Sequence, residues 1–119
     1  MKIALTALGT TLESEIDSRF GRARNFLLYE TETGALSAID NSVNLNAVQG
    51  AGIQSAGNIA ASGAKAVITG HCGPKAFRVL KEAGVKVYTA KPGKVIDAIA
   101  LFRSGQLSES SDADVEGHW

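Results

Sequence analysis

The chain lacks most of what a self-sufficient metal centre or a membrane protein needs. It has one cysteine, Cys72, and two histidines, His71 and His118, in 119 residues. A lone cysteine cannot close an internal disulfide, which fits a reducing compartment. A structural zinc site wants about four protein ligands, and one Cys beside one His falls short. No apolar run is long enough to span a membrane, and no basic-then-apolar leader opens the sequence, so a cytoplasmic protein without membrane contact is expected. There is no basic run, which argues against nucleic acid as a partner. The segment Met1 to Leu8 holds no carboxylate, whereas a two-metal nuclease needs several converging on its sheet. The formal net charge is zero, yet all 12 Lys and Arg precede Gly105 while four of the 12 acidic residues follow it. The body is therefore basic and the last segment acidic, compatible with an anionic ligand on the body.

What is present is the pattern of one α/β domain. Lys2 to Leu8 is apolar nearly throughout and reads as a central strand covered on both faces. Gly9 to Arg24 is a long polar connection, and loops of that length in small domains tend to be functional. Phe26–Glu30 and Leu36–Asp40 flank Glu32-Thr33-Gly34 and form an antiparallel hairpin. Asn41 to Gln49 reads as a polar loop. Ile53, Ala56, Ile59 and Ala60 then mark one helical face between Gly50-Ala51-Gly52 and Gly63. Lys65–Thr69 is a buried strand. A helix starts at Pro74 with Ala76, Leu80 and Ala83 as its apolar stripe, and Gly84 ends it. Val85–Thr89 is the last strand. Pro92-Gly93 opens a third helix with Val95, Ile96, Ile99 and Phe102 inward, stopped by Gly105. Residues 1–105 make the domain, and 106–119 read as a mobile acidic tail in which His118 is solvated.

The order βββαβαβα combines a hairpin with right-handed crossovers. It predicts a mixed five-stranded sheet ordered 3-2-1-4-5, with strand 2 antiparallel and helices on the faces. That is a ribonuclease-H-like arrangement.

The chemistry-bearing stretch is Gly70-His71-Cys72-Gly73-Pro74, where a strand ends and a helix begins. Ligands of open α/β sheets bind at such strand ends, and the N–H groups of a helix start favour an anion. Cys72 is a soft thiolate donor and His71 suits copper, zinc or iron. Cys72 also fits a small buried apolar role. A phosphate-loop or dinucleotide spacing is missing from both glycine-rich stretches.

Three segments resemble the dinitrogenase iron–molybdenum cofactor biosynthesis family. They are Asp17-Ser18-Arg19-Phe20-Gly21-Arg22-Ala23, then Gly50-Ala51-Gly52-Ile53-Gln54, then Gly70 to Leu80 followed by Ala83 to Tyr88. The resemblance spans roughly residues 1 to 104. It implies the ribonuclease-H-like fold without nuclease activity, and a carrier rather than an enzyme. The cargo it implies is a preformed anionic metal–sulfur cluster: a molybdenum–copper sulfide cluster, as in orange proteins, or an iron–molybdenum cofactor-like cluster. Arg19 stands where some cofactor-carrying members place a histidine, which favours guanidinium pairing with sulfide or oxo groups over imidazole ligation. Arg19, Arg22 and Arg24 then form a cationic wall, or pair with Glu13, Glu15 or Asp17. Phe20 and Gly21 lie inside this first motif. Gly50 and Gly52 allow close backbone approach, and Gly73 and Lys75 add N–H groups and charge. Cys72 and His71 are the candidate metal ligands. The expected partners are the cluster and proteins that donate or accept it, with the protein itself a monomer. A cysteine-dependent enzyme using Cys72 and a cofactor-free protein–protein adaptor are the alternatives.

Overall fold

The sheet grows outward from β1, Lys2–Ala7, whose Ile3 to Ala7 are all fully buried. Successive strand residues point to opposite faces, so a strand buried at every position from Ile3 to Ala7 is covered on both. A computed structural model describes residues 1–45 and 50–110. Beside β1 lie β2 (Asn25–Glu30), antiparallel to it, and β4 (Ala66–Thr69), parallel to it. β3 (Leu36–Asp40) pairs antiparallel with β2, and β5 (Lys86–Thr89) pairs parallel with β4. The order is therefore β3-β2-β1-β4-β5, as the sequence predicts.

Helices α2 (Ala51–Ala61) and α3 (Pro74–Glu82) cover one face. There Ala56, Ile59 and Leu80 pack with Ala4, Phe26 and Val67. Helix α4 (Val95–Arg103) covers the other, where Val95 and Ile99 meet Ile3, Leu5 and Ile68. Each large side chain so buried stabilises the fold by about 1.5–3 kcal/mol. No helix among the described residues is long and apolar enough to cross a membrane.

Several inward assignments change. Ile96 is 41% exposed, because α4 buries Val95, Ala98 and Ile99, the i, i+3, i+4 set that leaves Ile96 a step round the helix. Ile53 is 43% exposed, sitting at the first turn of α2 rather than over the sheet. Phe77 replaces Ala83 in the α3 stripe, since the helix ends at Glu82 and Ala83 is its exposed C-cap. The polar stretch after β3 contains a short helix, α1 (Ser42–Leu45), with Asn41 buried just before it and Asn44 buried within it. Residues 46–49 of that stretch lie outside the described residues.

Packing continues past Gly105. Leu107 rests against the α4-side core, Glu109 bridges antiparallel to Tyr88, and the Ser110 N–H donates to the Val87 carbonyl at 2.8 Å. The rest of the expected tail, 111–119 with His118, lies outside the described residues.

Candidate functional site

The long connection after β1 is held by three clips. The first is Asp17. Its N–H donates to the Thr6 carbonyl at 2.9 Å, and the Thr6 hydroxyl donates to the Asp17 carbonyl at 2.6 Å. Its carboxylate is buried, at 3% exposure. A buried carboxylate is costly unless donors surround it. Here the backbone N–H groups of Arg19 and Arg24 donate at 3.1 Å each, and the Arg19 guanidinium donates through Nε at 3.2 Å and Nη2 at 3.3 Å. The Arg19 side chain, 45% exposed, is thereby fixed in a two-pronged pair.

The second clip joins the two sequence motifs. The His71 N–H donates to the Ser18 carbonyl at 2.7 Å, and the Phe20 N–H donates to the His71 carbonyl at 3.1 Å. Gly70 makes this approach possible, since a Cβ there would lie 2.7 Å from Ser18 Cα. Phe20 anchors the segment by burying its ring against Phe26, with centroids 5.3 Å apart.

The third clip sets Gly21 on α2. A Cβ on Gly21 would stand 2.6 Å from Gly52 Cα, so the two backbones touch where only glycine fits. The Gly21 carbonyl accepts from Ser55 Oγ at 3.0 Å and Asn41 Nδ2 at 3.2 Å. Asn41 also donates to the Ala23 carbonyl at 2.8 Å and accepts from Asn44 Nδ2 at 3.0 Å. The sequence reading missed this buried network. Its signal was two asparagines three apart at a strand end, which a polar-loop reading absorbs.

These clips frame a cleft of about 500 Å³, within the ordinary range for ligand sites. The loop after β1 contributes Arg19 to Arg22. The start of α2 contributes Gly50 to Ile53, entered through Gly50 at φ +79°, a left-handed turn that favours glycine. The start of α3 contributes Gly73 to Ala76, with Pro74 at the first position. His71 completes the lining, and its Nδ1 is buried. The first N–H groups of a helix have no intrahelical acceptor, and each N-terminus carries roughly half a positive charge. Two such ends meet here, together with Arg19, Arg22 and Lys75. The arrangement gives the cleft a positive potential that favours an anion.

Of the residues singled out in sequence, Arg19, Phe20, Gly21, Arg22, Gly50, Gly52, His71, Gly73 and Lys75 share this cleft. Cys72 does not line it. Cys72 is 2% exposed and packs in the core with Phe20 and Ala76. Arg24 also stands apart, its guanidinium near Asp40 and its backbone N–H on Asp17. Gly52 serves backbone packing against Gly21, in addition to lining the cleft. Among the described residues, no three His, Cys, Asp or Glu side chains converge to hold a metal ion.

The comparisons agree with this architecture. The apo form of the orange protein from Desulfovibrio gigas superposes with a TM-score of 0.93, at 37% identity over 96% of each chain. A Thermotoga protein of the DUF35 family superposes at 0.84, with 34% identity over 98% of each. An uncharacterised protein of Methanocaldococcus jannaschii is 32% identical over 113 residues, covering 92% of this chain and 95% of that one. The family model described as dinitrogenase iron-molybdenum cofactor matches residues 1–105. These likenesses support a cofactor-related carrier role. With its sheet order, its two glycine-dependent clips and this match along nearly its whole length, the chain belongs to the dinitrogenase iron-molybdenum cofactor family.

Proposed function

We propose that the protein is a non-enzymatic carrier whose cargo is an anionic, molybdenum-containing metal–sulfur cluster, of the molybdenum–copper sulfide or iron–molybdenum cofactor type. The observation that carries this reading is the meeting of two helix N-termini with Arg19, Arg22 and Lys75 in one cleft. The only thiol packs in the core beside it. Such a lining suits a cluster that brings its own sulfide ligands. N–H groups and guanidinium donate to the sulfides, and His71 offers one imidazole. In this reading the protein works as a monomer in the cytoplasm, between proteins that donate and accept the cluster.

The test is a titration of the apo-protein with tetrathiomolybdate and copper. A visible charge-transfer band should form and stay with the protein through gel filtration. A charge-assisted contact is worth about 1.5–3 kcal/mol, so Arg22→Ala or Lys75→Ala should weaken binding roughly ten- to a hundred-fold. Cys72→Ala should change it little, and affinity should fall as salt rises. Retention of affinity in both cation variants, with loss only in Cys72→Ala, would overturn the electrostatic reading in favour of thiolate ligation. Tight binding of zinc alone that excludes the cluster would overturn the carrier reading itself.

A further inference from the structure

Behind the Ser18–His71 clip lies a second cleft, of about 550 Å³. It opens at the carboxyl ends of β1, β4 and β5, lined by Leu8, Gly70 and Ala90 from the chain that follows each. The chain leaves β4 for α3 on one face of the sheet and leaves β5 for α4 on the other. Ligands of open α/β sheets favour such a divergence. Its walls are apolar, formed by Leu8, Ile16, Ala90 and Pro92, and Leu8 stands 50% exposed. Its cations are Lys91 and Arg19, and its one carboxylate, Asp17, is buried and occupied by four donors. Arg19 and His71 line both clefts, so a single wall separates them.

We infer that this second cleft docks an extended segment of a partner protein, one that presents an apolar side chain flanked by carboxylates. The apolar side chain fits between Leu8, Ile16 and Pro92, and the carboxylates meet Lys91 and Arg19. Apolar walls flanked by Lys91 and Arg19 complement, in shape and in charge, an apolar side chain flanked by carboxylates. Docking there also acts on the cargo, an effect that rests on the carrier reading. Asp17 holds the guanidinium of Arg19 in place, so a carboxylate arriving from behind lowers the positive potential felt in front. Partner and cargo then weaken each other by the same factor, because coupling is reciprocal. A partner that docks loosens the load.

The test uses the full chain labelled with ¹⁵N and a capped peptide alternating glutamate and leucine, with a lysine–leucine peptide as control. The acidic peptide should shift the amides of Leu8, Ile16, Gly70 and Lys91, and Lys91→Glu should abolish those shifts. With the peptide bound, tetrathiomolybdate affinity should fall about fivefold or more. Shifts confined to Gly21, Gly52 and Lys75, or equal shifts with the lysine peptide, would overturn the proposal. So would binding of octanoate at the same amides when the peptide does not bind, which would make the cleft a small-molecule site. Concentration-dependent shifts of these amides without peptide would assign the surface to a second copy instead. The peptide titration needs no cluster, so failure of the carrier reading would appear separately, as an absent charge-transfer band.

Discussion

Replacing Gly21 by alanine tests the contact on which the cleft depends. The new Cβ would lie 2.6 Å from Gly52 Cα and 2.7 Å from Gly52 N. Carbon atoms rest at about 3.5–4.0 Å, so the loop and α2 must part by about 1 Å. Overpacking of this kind costs about 1–3 kcal/mol. Parting also loosens the bonds from Ser55 and Asn41 to the Gly21 carbonyl, each worth about 1 kcal/mol. The expected loss is about 2–4 kcal/mol. Thermal unfolding followed by circular dichroism should show Tm lower by about 10 °C or more. The control is Gly57→Ala, also on α2, where a Cβ would have nothing within 4 Å. There alanine should stabilise by about 0.5–1 kcal/mol. A Gly21→Ala protein with the Tm of the parent would refute the backbone contact and, with it, the geometry assigned to the cleft.

Three further outcomes follow from the same geometry. Asp17→Asn keeps the shape but turns an amide toward the backbone N–H groups of Arg19 and Arg24. It should cost about 1.5–3 kcal/mol, read as a lower urea midpoint at constant m, and an unchanged midpoint would contradict the role given to that carboxylate. A chain ended after Gly105 loses Leu107 and the Ser110–Val87 bond, so its Tm should fall below that of a chain ended after Ser110; equal Tm values for the two would show that this segment adds nothing. Hydrogen bonds from the Ser42 backbone and side chain, with Arg24 nearby, hold the Asp40 carboxyl below the ordinary aspartate range. Its stabilising contribution is complete above the unfolded-state pKa and is lost as pH falls through the folded one, so Asp40→Asn should remove part of the acid dependence of unfolding, and an NMR titration placing Asp40 at or above the ordinary range would contradict the cause given.

The sheet was legible because its determinants are local. A nearly continuous apolar β1, the glycine turn at Gly34 with φ +77°, and two strand-to-helix crossovers leave few topologies to choose between. The cleft was legible wherever a motif pairs glycine with cations, at Arg19 to Arg22 and at Gly73 to Lys75. It was less so where partners lie far apart in sequence. Asn41 and Ser55 are polar residues whose burial depends on the Gly21 carbonyl, and nothing near them announces it. Asp17 looked like one of several surface partners for arginine, yet it is the buried one. Helical periodicity placed Ile53 and Ile96 on inward faces because a pattern records spacing and not which side a sheet will occupy. Cys72 carries the chemistry a metal would choose, but a small sulfur is also good core filling, and its neighbours Phe20 and Ala76 give it that use.

The cleft has one wall from Arg19 to Arg22 and another from Gly73 to Ala76. On a ribosome these are made at different times. While only the first wall has emerged, the arginines face no opposing helix, and β1 lacks its parallel neighbour β4. The cleft is complete only once synthesis has passed α3, and the long-range clips at Ser18 and Gly21 must then close. Contacts of this sequence separation form late in folding. In the carrier reading, an unfinished or unfolded copy therefore holds no cargo, and possession of cargo reports that folding is complete.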